Sequence, residues 1–135
     1  MGSFRAGDTF LIGKPGEKQH LHVVLCDPAG TPPTLLVVSF NTVTLYTDTT
    51  LQLGPGDHPF ITRATAVSFD TMNTFPVDQL DALEKLCLAG QGNSFRRHDP
   101  VSADLLARIV AGALKSDLTP KRMARALKER LNIED

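Results

Sequence analysis

At Pro76 the spacing of apolar residues changes from that of strands to that of helices, and few architectures accommodate such a break within 135 residues. Upstream of it, apolar residues come in short runs separated by Gly and Pro. Residues 8–12 (Asp-Thr-Phe-Leu-Ile), 20–26 (His-Leu-His-Val-Val-Leu-Cys) and 34–40 (Thr-Leu-Leu-Val-Val-Ser-Phe) have the length and aliphatic character of strands. Leu51-Gln52-Leu53, Phe60-Ile61-Thr62 and Ala66-Val67-Ser68-Phe69 are shorter candidates. Gly13 to Lys18, Asp27 to Gly30, Pro32-Pro33 and Gly54 to Asp57 are the intervening turns. Eleven of the 44 residues from Thr31 to Thr74 are threonine, a β-branched excess that favours extended chain. Five or six short strands at this spacing predict a small barrel, since closure removes exposed sheet edges.

Downstream, the pattern predicts three helices. Pro76 suits a first helical position, and Val77, Leu80, Leu83, Leu86 and Cys87 recur at helical spacing up to Gly90. Gln91 to Pro100 is a polar connection. Ser102 is placed to cap a second helix with the apolar face Leu105, Leu106, Ile109, Val110, Ala113 and Leu114. Thr119-Pro120 starts a third, with Met123, Leu127 and Leu131 on one side and Lys121, Arg122, Arg125 and Lys128 elsewhere. The expectation is an α+β chain forming a single domain over 1–135. Residues 6–75 would form a β-barrel body, and residues 76–135 a helical C-terminal appendage.

No apolar run approaches the roughly 18 residues of a membrane helix, and no signal-peptide pattern opens the chain, which points to the cytoplasm. The net charge of −1 excludes a strongly basic nucleic-acid-coating protein. That charge is unevenly divided. Residues 1–95 hold five Lys/Arg against nine Asp/Glu, and residues 96–135 hold nine against six, leaving room for an anionic partner near the C-terminal part. Cys26 and Cys87 form neither a Cys-x-x-Cys pair nor a zinc spacing, and both lie in apolar runs as expected of buried reduced thiols.

Histidine supplies the obvious groups titrating near neutral pH. His20 and His22 lie two apart in a predicted strand and share a face, whereas Leu21, Val23 and Leu25 point to the core. This alternation leaves both imidazoles on an accessible face, with Lys18 just before them. His-x-His on a strand supplies two metal ligands, and Asp57 or His58 would have to be the third. Asn41-Thr42 leaves the most apolar strand with an amide and a hydroxyl suited to a phosphate or a turn. Gly54-Pro55-Gly56-Asp57-His58-Pro59 is a rigid turn rather than a phosphate-binding loop, because neither Gly-Lys-Ser/Thr nor a helix follows it. The basic third helix loosely matches the first helix of a helix-turn-helix, but the residues of this sequence after it leave no room for a recognition helix, so that motif is not expected.

The order of elements resembles the PemK/MazF toxins of toxin–antitoxin systems. Gly7-Asp8 precedes the first strand, as is typical of that family. A variable loop and the run His20-Leu21-His22-Val23-Val24-Leu25-Cys26 follow, and then an apolar strand leading to Ser39-Phe40-Asn41-Thr42. His20 falls where the family has an arginine and Cys26 where it has a serine. Asn41 and Thr42 take the places of its threonine and serine. Residues 62–71 occupy the place of its Asp-Gln-hydrophobic-Arg segment without that sequence, and the helices from Ser102 onward extend beyond a typical member.

The resemblance spans about residues 6–90 and implies an SH3-like barrel, a homodimer and an antitoxin or other protein partner. It also implies a metal-independent endoribonuclease, without cofactor, cleaving single-stranded RNA by attack of a ribose 2′-hydroxyl on the adjacent phosphodiester. His20 and His22 would then be the acid–base pair, with Thr42 catalytic beside them. Lys18, Asn41 and His58 would bind substrate, Lys18 as the phosphate-binding cation. A non-catalytic interaction module on the same barrel, binding protein or nucleic acid, is the alternative, and the acidic charge of residues 1–95 favours it.

Overall fold

The alternation His20, Leu21, His22, Val23 sends leucine and valine to one side of a strand and both histidines to the other, and the architecture follows from covering both sides. The computed structural model describes residues 4–13, 19–42, 50–90 and 95–133. Its strands are β1 (Thr9–Ile12), β2 (His20–Val24), β3 (Thr34–Thr42), β4 (Gln52–Leu53), β5 (Thr65–Pro76) and β6 (Phe95–His98). Its helices are α1 (Val77–Leu88), α2 (Ala103–Lys115) and α3 (Lys121–Arg130). The strands form one curled antiparallel sheet, a half-barrel, in the order β4-β5-β3-β2-β1-β6. Among the described residues the edge strands β4 and β6 do not pair, and helices rather than further strands cover the sheet. No helix among these residues is long and apolar enough to cross a membrane.

Two apolar clusters lie on opposite faces of the sheet. Leu21, Val23, Leu36, Val38, Phe40, Val67 and Phe69 meet Leu105, Ile109 and Ala113 of α2, and Met123 and Leu127 of α3. On the other face Phe10, Val24, Leu35, Val37 and Phe95 meet Leu80 of α1. This two-sided cover explains why Leu35 to Phe40 are all buried in succession, a pattern that strands with one wet face do not show. Each helix is docked by its own stripe. Leu80, Leu83 and Cys87 face inward, but Leu86, six residues from Leu80, falls off the stripe and stays exposed. Ser102 caps α2 by accepting the Leu105 amide at 3.0 Å.

Several expectations need correction. Phe60-Ile61-Thr62 is not a strand: the Ile61 amide donates to the His58 carbonyl at 2.9 Å, closing a turn with Pro59 at its second position. The connection Gln91 to Pro100 contains β6, whose Phe-Arg-Arg-His sequence suits an edge strand, where polar side chains discourage further pairing. Pro76 ends β5 and precedes the first turn of α1 in extended conformation (ψ 130°). Thr119 does not cap α3. Its buried hydroxyl donates to the Ala113 carbonyl at 2.7 Å, fastening the start of α3 to the end of α2. Cys26 and Cys87 are free thiols, the first buried and the second half-buried.

The expected strand 66–69 is part of the much longer β5, broken by a bulge. Val37 pairs with Asn73 and Ser39 with Ser68, so the four residues Phe69 to Met72 face Val38 alone. Phe69 and Met72 both enter the larger core from this irregularity, while Asp70 and Thr71 are exposed. Such bulges re-aim side chains locally. This one turns Thr71 back toward β3.

Candidate active site

The sheet face carrying His20 and His22 is only partly covered by α1, and the remainder is polar. His22 lies opposite Ser39 in the β2–β3 ladder, and Asn41 stands two residues farther along β3 on the same face, toward His20. The bulge completes this surface. The Thr71 hydroxyl donates to the Ser68 carbonyl at 2.6 Å, so in its 2.9 Å bond with Ser39 the Ser39 hydroxyl is the donor. The Asn41 amide nitrogen donates to the Ser68 hydroxyl. Ser39, Ser68 and Thr71 are the members that sequence reasoning missed. A serine inside the apolar run of β3 is the one signal that points to Ser39.

His22 is set more deeply than alternation suggests. Its ring stacks on Phe10 (5.4 Å between centroids, 8° between planes) and meets the edge of Phe75 at 5.9 Å. Burial therefore lowers its pKa below the ordinary 6.5. The hydrogen bond to the His20 carbonyl works against that shift, and the neighbouring charge of His20 adds to it. That bond also fixes the tautomer. A carbonyl only accepts, so Nδ1, 3.0 Å from the His20 oxygen, carries the proton. In the neutral ring Nε2 then holds a lone pair, and among the described residues it has no hydrogen-bond partner. An imidazole with Nδ1–H anchored and Nε2 unprotonated has the form of a general base.

The other sequence candidates divide. Lys18 lies outside the described residues. Thr42 ends β3 opposite Thr65. His58, expected to bind substrate, is instead buried on the opposite face of the sheet with both ring nitrogens committed. The Phe60 amide donates to its Nδ1 at 3.0 Å, so Nε2 carries the proton and donates to the Asp99 carbonyl at 2.6 Å. That carbonyl also accepts the Thr9 hydroxyl at 2.7 Å. His58 thus binds the turn after β4 to the end of β6. Neither His58 nor Asp57 joins the histidine pair; Asp57 faces Arg108 at 3.4 Å. Among the described residues no three His, Cys, Asp or Glu side chains gather as for a metal ion.

Among the described residues, a cation at the edge of the histidine face is committed as well. Arg97 of β6 lies opposite Phe10 and donates to both carboxylate oxygens of Glu84 on α1, at 2.6 and 3.3 Å. Its guanidinium covers Phe4 at 4.0 Å and stands 3.8 Å from Asp8. It docks α1 to the sheet edge.

Comparison with protein-family models, with curated proteins and with solved structures finds no match.

Proposed function

We propose that this protein is a metal-independent endoribonuclease of the PemK/MazF type, acting on single-stranded RNA in the cytoplasm. In this reading the half-barrel is an SH3-like barrel, the active unit is a homodimer, and an antitoxin is its protein partner. The observation that supports it is the tautomer of His22, anchored through Nδ1 with Nε2 as a proton acceptor, on the strand face that also carries His20. Nε2 of His22 takes the proton of a ribose 2′-hydroxyl, and the freed oxygen attacks the adjacent phosphorus. The P–O5′ bond breaks as His20, in its protonated form, gives a proton to the leaving oxygen. The products are a 2′,3′-cyclic phosphate and a 5′-hydroxyl. Asn41, Thr42 and Lys18 orient and neutralise the phosphate; His58 has no part in this step.

Incubation with an unstructured RNA in the presence of a chelator tests this. Cleavage is expected to persist with chelator and to fall at least about 100-fold in His22→Ala and in His20→Ala, the usual worth of a general acid or base. Full activity in both variants, or loss on chelation, overturns the assignment. A non-catalytic interaction module is the second reading, favoured by the five Lys/Arg against nine Asp/Glu of residues 1–95, since attraction of RNA depends on positive charge. Tight capture of a co-encoded protein without cleavage of any RNA selects it.

A further inference from the structure

The helix α3 carries five basic residues against one acid, Glu129, within ten residues. Lys121, Ala124, Arg125 and Lys128 line an open depression of about 260 Å³ on its outer side. The small Ala124 is the uncharged member of this lining, and among the described residues no acidic side chain lines the depression. Among the described residues Lys121, Arg122 and Arg125 make no salt bridge. The helix is held rigidly from behind by buried Met123 and Leu127, and Arg130 grips β3 through the Thr34 carbonyl at 2.8 Å and its hydroxyl at 2.6 Å. Its first turn has no acid, unlike those of α1 and α2, and instead presents Lys121 and Arg122 to the positive end of the helix dipole. Folding does not favour that placement, whereas a bound polyanion would relieve it.

We infer that this face of α3 binds the phosphate backbone of single-stranded RNA, as a tethering surface separate from the histidine face. The choice of RNA rests on the function proposed above; the choice of phosphate rests on the surface itself. Residues four apart on a helix are separated by about 6 Å along its axis, so Lys121 and Arg125 address successive anionic groups. An acidic peptide helix would need apolar anchors, and a depression lined by Lys121, Arg125, Lys128 and the small Ala124 offers none. Base readout would call for aromatic stacking partners, and α3 has none. The binding is therefore electrostatic and indifferent to sequence.

Binding of the full chain to a labelled 2′-O-methyl oligouridylate, which lacks the attacking hydroxyl, isolates binding from cleavage. The double variant Lys121→Gln/Arg125→Gln is expected to weaken binding at least about tenfold near physiological salt. Its plot of log K against log salt should be shallower by about 0.7 for each phosphate the variant no longer neutralises. Circular dichroism of the variant checks that these exposed substitutions leave the fold intact. Unchanged affinity and slope overturn the inference, as does equally tight, α3-dependent binding of polyglutamate, which would mark an acidic protein as the occupant. Cleavage combined with unchanged binding in the double variant removes this surface and leaves the nuclease reading standing. Binding that depends on α3, without cleavage of ordinary RNA, does the reverse.

Discussion

The hydrogen bond from His22 Nδ1 to the His20 carbonyl links the proposed chemistry to folding through a single proton. Because burial lowers the His22 pKa in the folded chain, the unfolded chain binds a proton at a higher pH than the folded one does. Stability then rises with pH between the folded value and the ordinary 6.5 and is fully present above it. It is lost progressively as pH falls toward the folded value. Denaturant midpoints measured at pH 7.5 and pH 5.5 should differ less in His22→Gln than in the parent; an identical difference in both proteins would contradict the burial argument. The acid limb of the cleavage rate should likewise lie below pH 6.5, since Nε2 is kept unprotonated there.

Gly112 is the other residue whose identity is dictated by its neighbours. A Cβ at that position on α2 would lie 2.7 Å from Cζ and 3.1 Å from Cε2 of Phe69, whose ring is fully buried. The close approach of α2 to the bulged strand therefore needs glycine. Alanine should destabilise by about 1–3 kcal/mol despite its better helix propensity, measurable as a lower denaturant midpoint. A neutral or stabilised Gly112→Ala protein would mean that the helix can retreat without cost.

Among the elements, the turn between β4 and β5 shows how a polar group can look functional and be structural. His58 satisfies an amide at Phe60 and a carbonyl at Asp99 from within the fold, so His58→Ala removes a partner from each. A fall of about 1–3 kcal/mol in stability is expected, read by thermal unfolding, with RNA cleavage per folded molecule retained. Loss of cleavage without loss of stability would return His58 to the site.

The same elements explain what was legible in the sequence. Strands β1 and β3 announce themselves because apolar runs follow turn residues, β2 because Leu21 and Val23 alternate with the histidines, and α2 does so through Ser102 and an unbroken stripe. The strand β6 does not, since Phe95 is its one apolar residue and its partner β1 lies far away in the chain. The length of β5 is hidden by the bulge, which breaks the alternation at Phe69 to Met72. At the candidate site the histidine pair follows from spacing alone. The depth of His22 between Phe10 and Phe75, and the hydroxyls of Ser68 and Thr71, depend on tertiary packing that no local pattern encodes.

On the scale of the molecule, the helices beyond Pro100 share the core of the sheet. Leu105, Ile109, Met123 and Leu127 are buried against strand residues from β2, β3 and β5. A chain ending at Gly90 would be without this packing and without β6, and would expose the whole larger cluster. Its urea titration should show no cooperative transition, whereas the intact protein should show one. A sharp transition in the shortened chain would make the strand-rich part an independent unit.

The pairing of β1 with β6 also sets an order of events in time. Thr9 and Asp99 are joined across 90 positions, with α1 and four strands between them. During synthesis β1 can find β2 almost at once, but its outer edge must wait until most of the protein has left the ribosome. Such distant partnerships slow the search for the native state. In the interval the exposed backbone of β1 is open to any other extended segment, and that is when a newborn copy of this chain is most open to association with another.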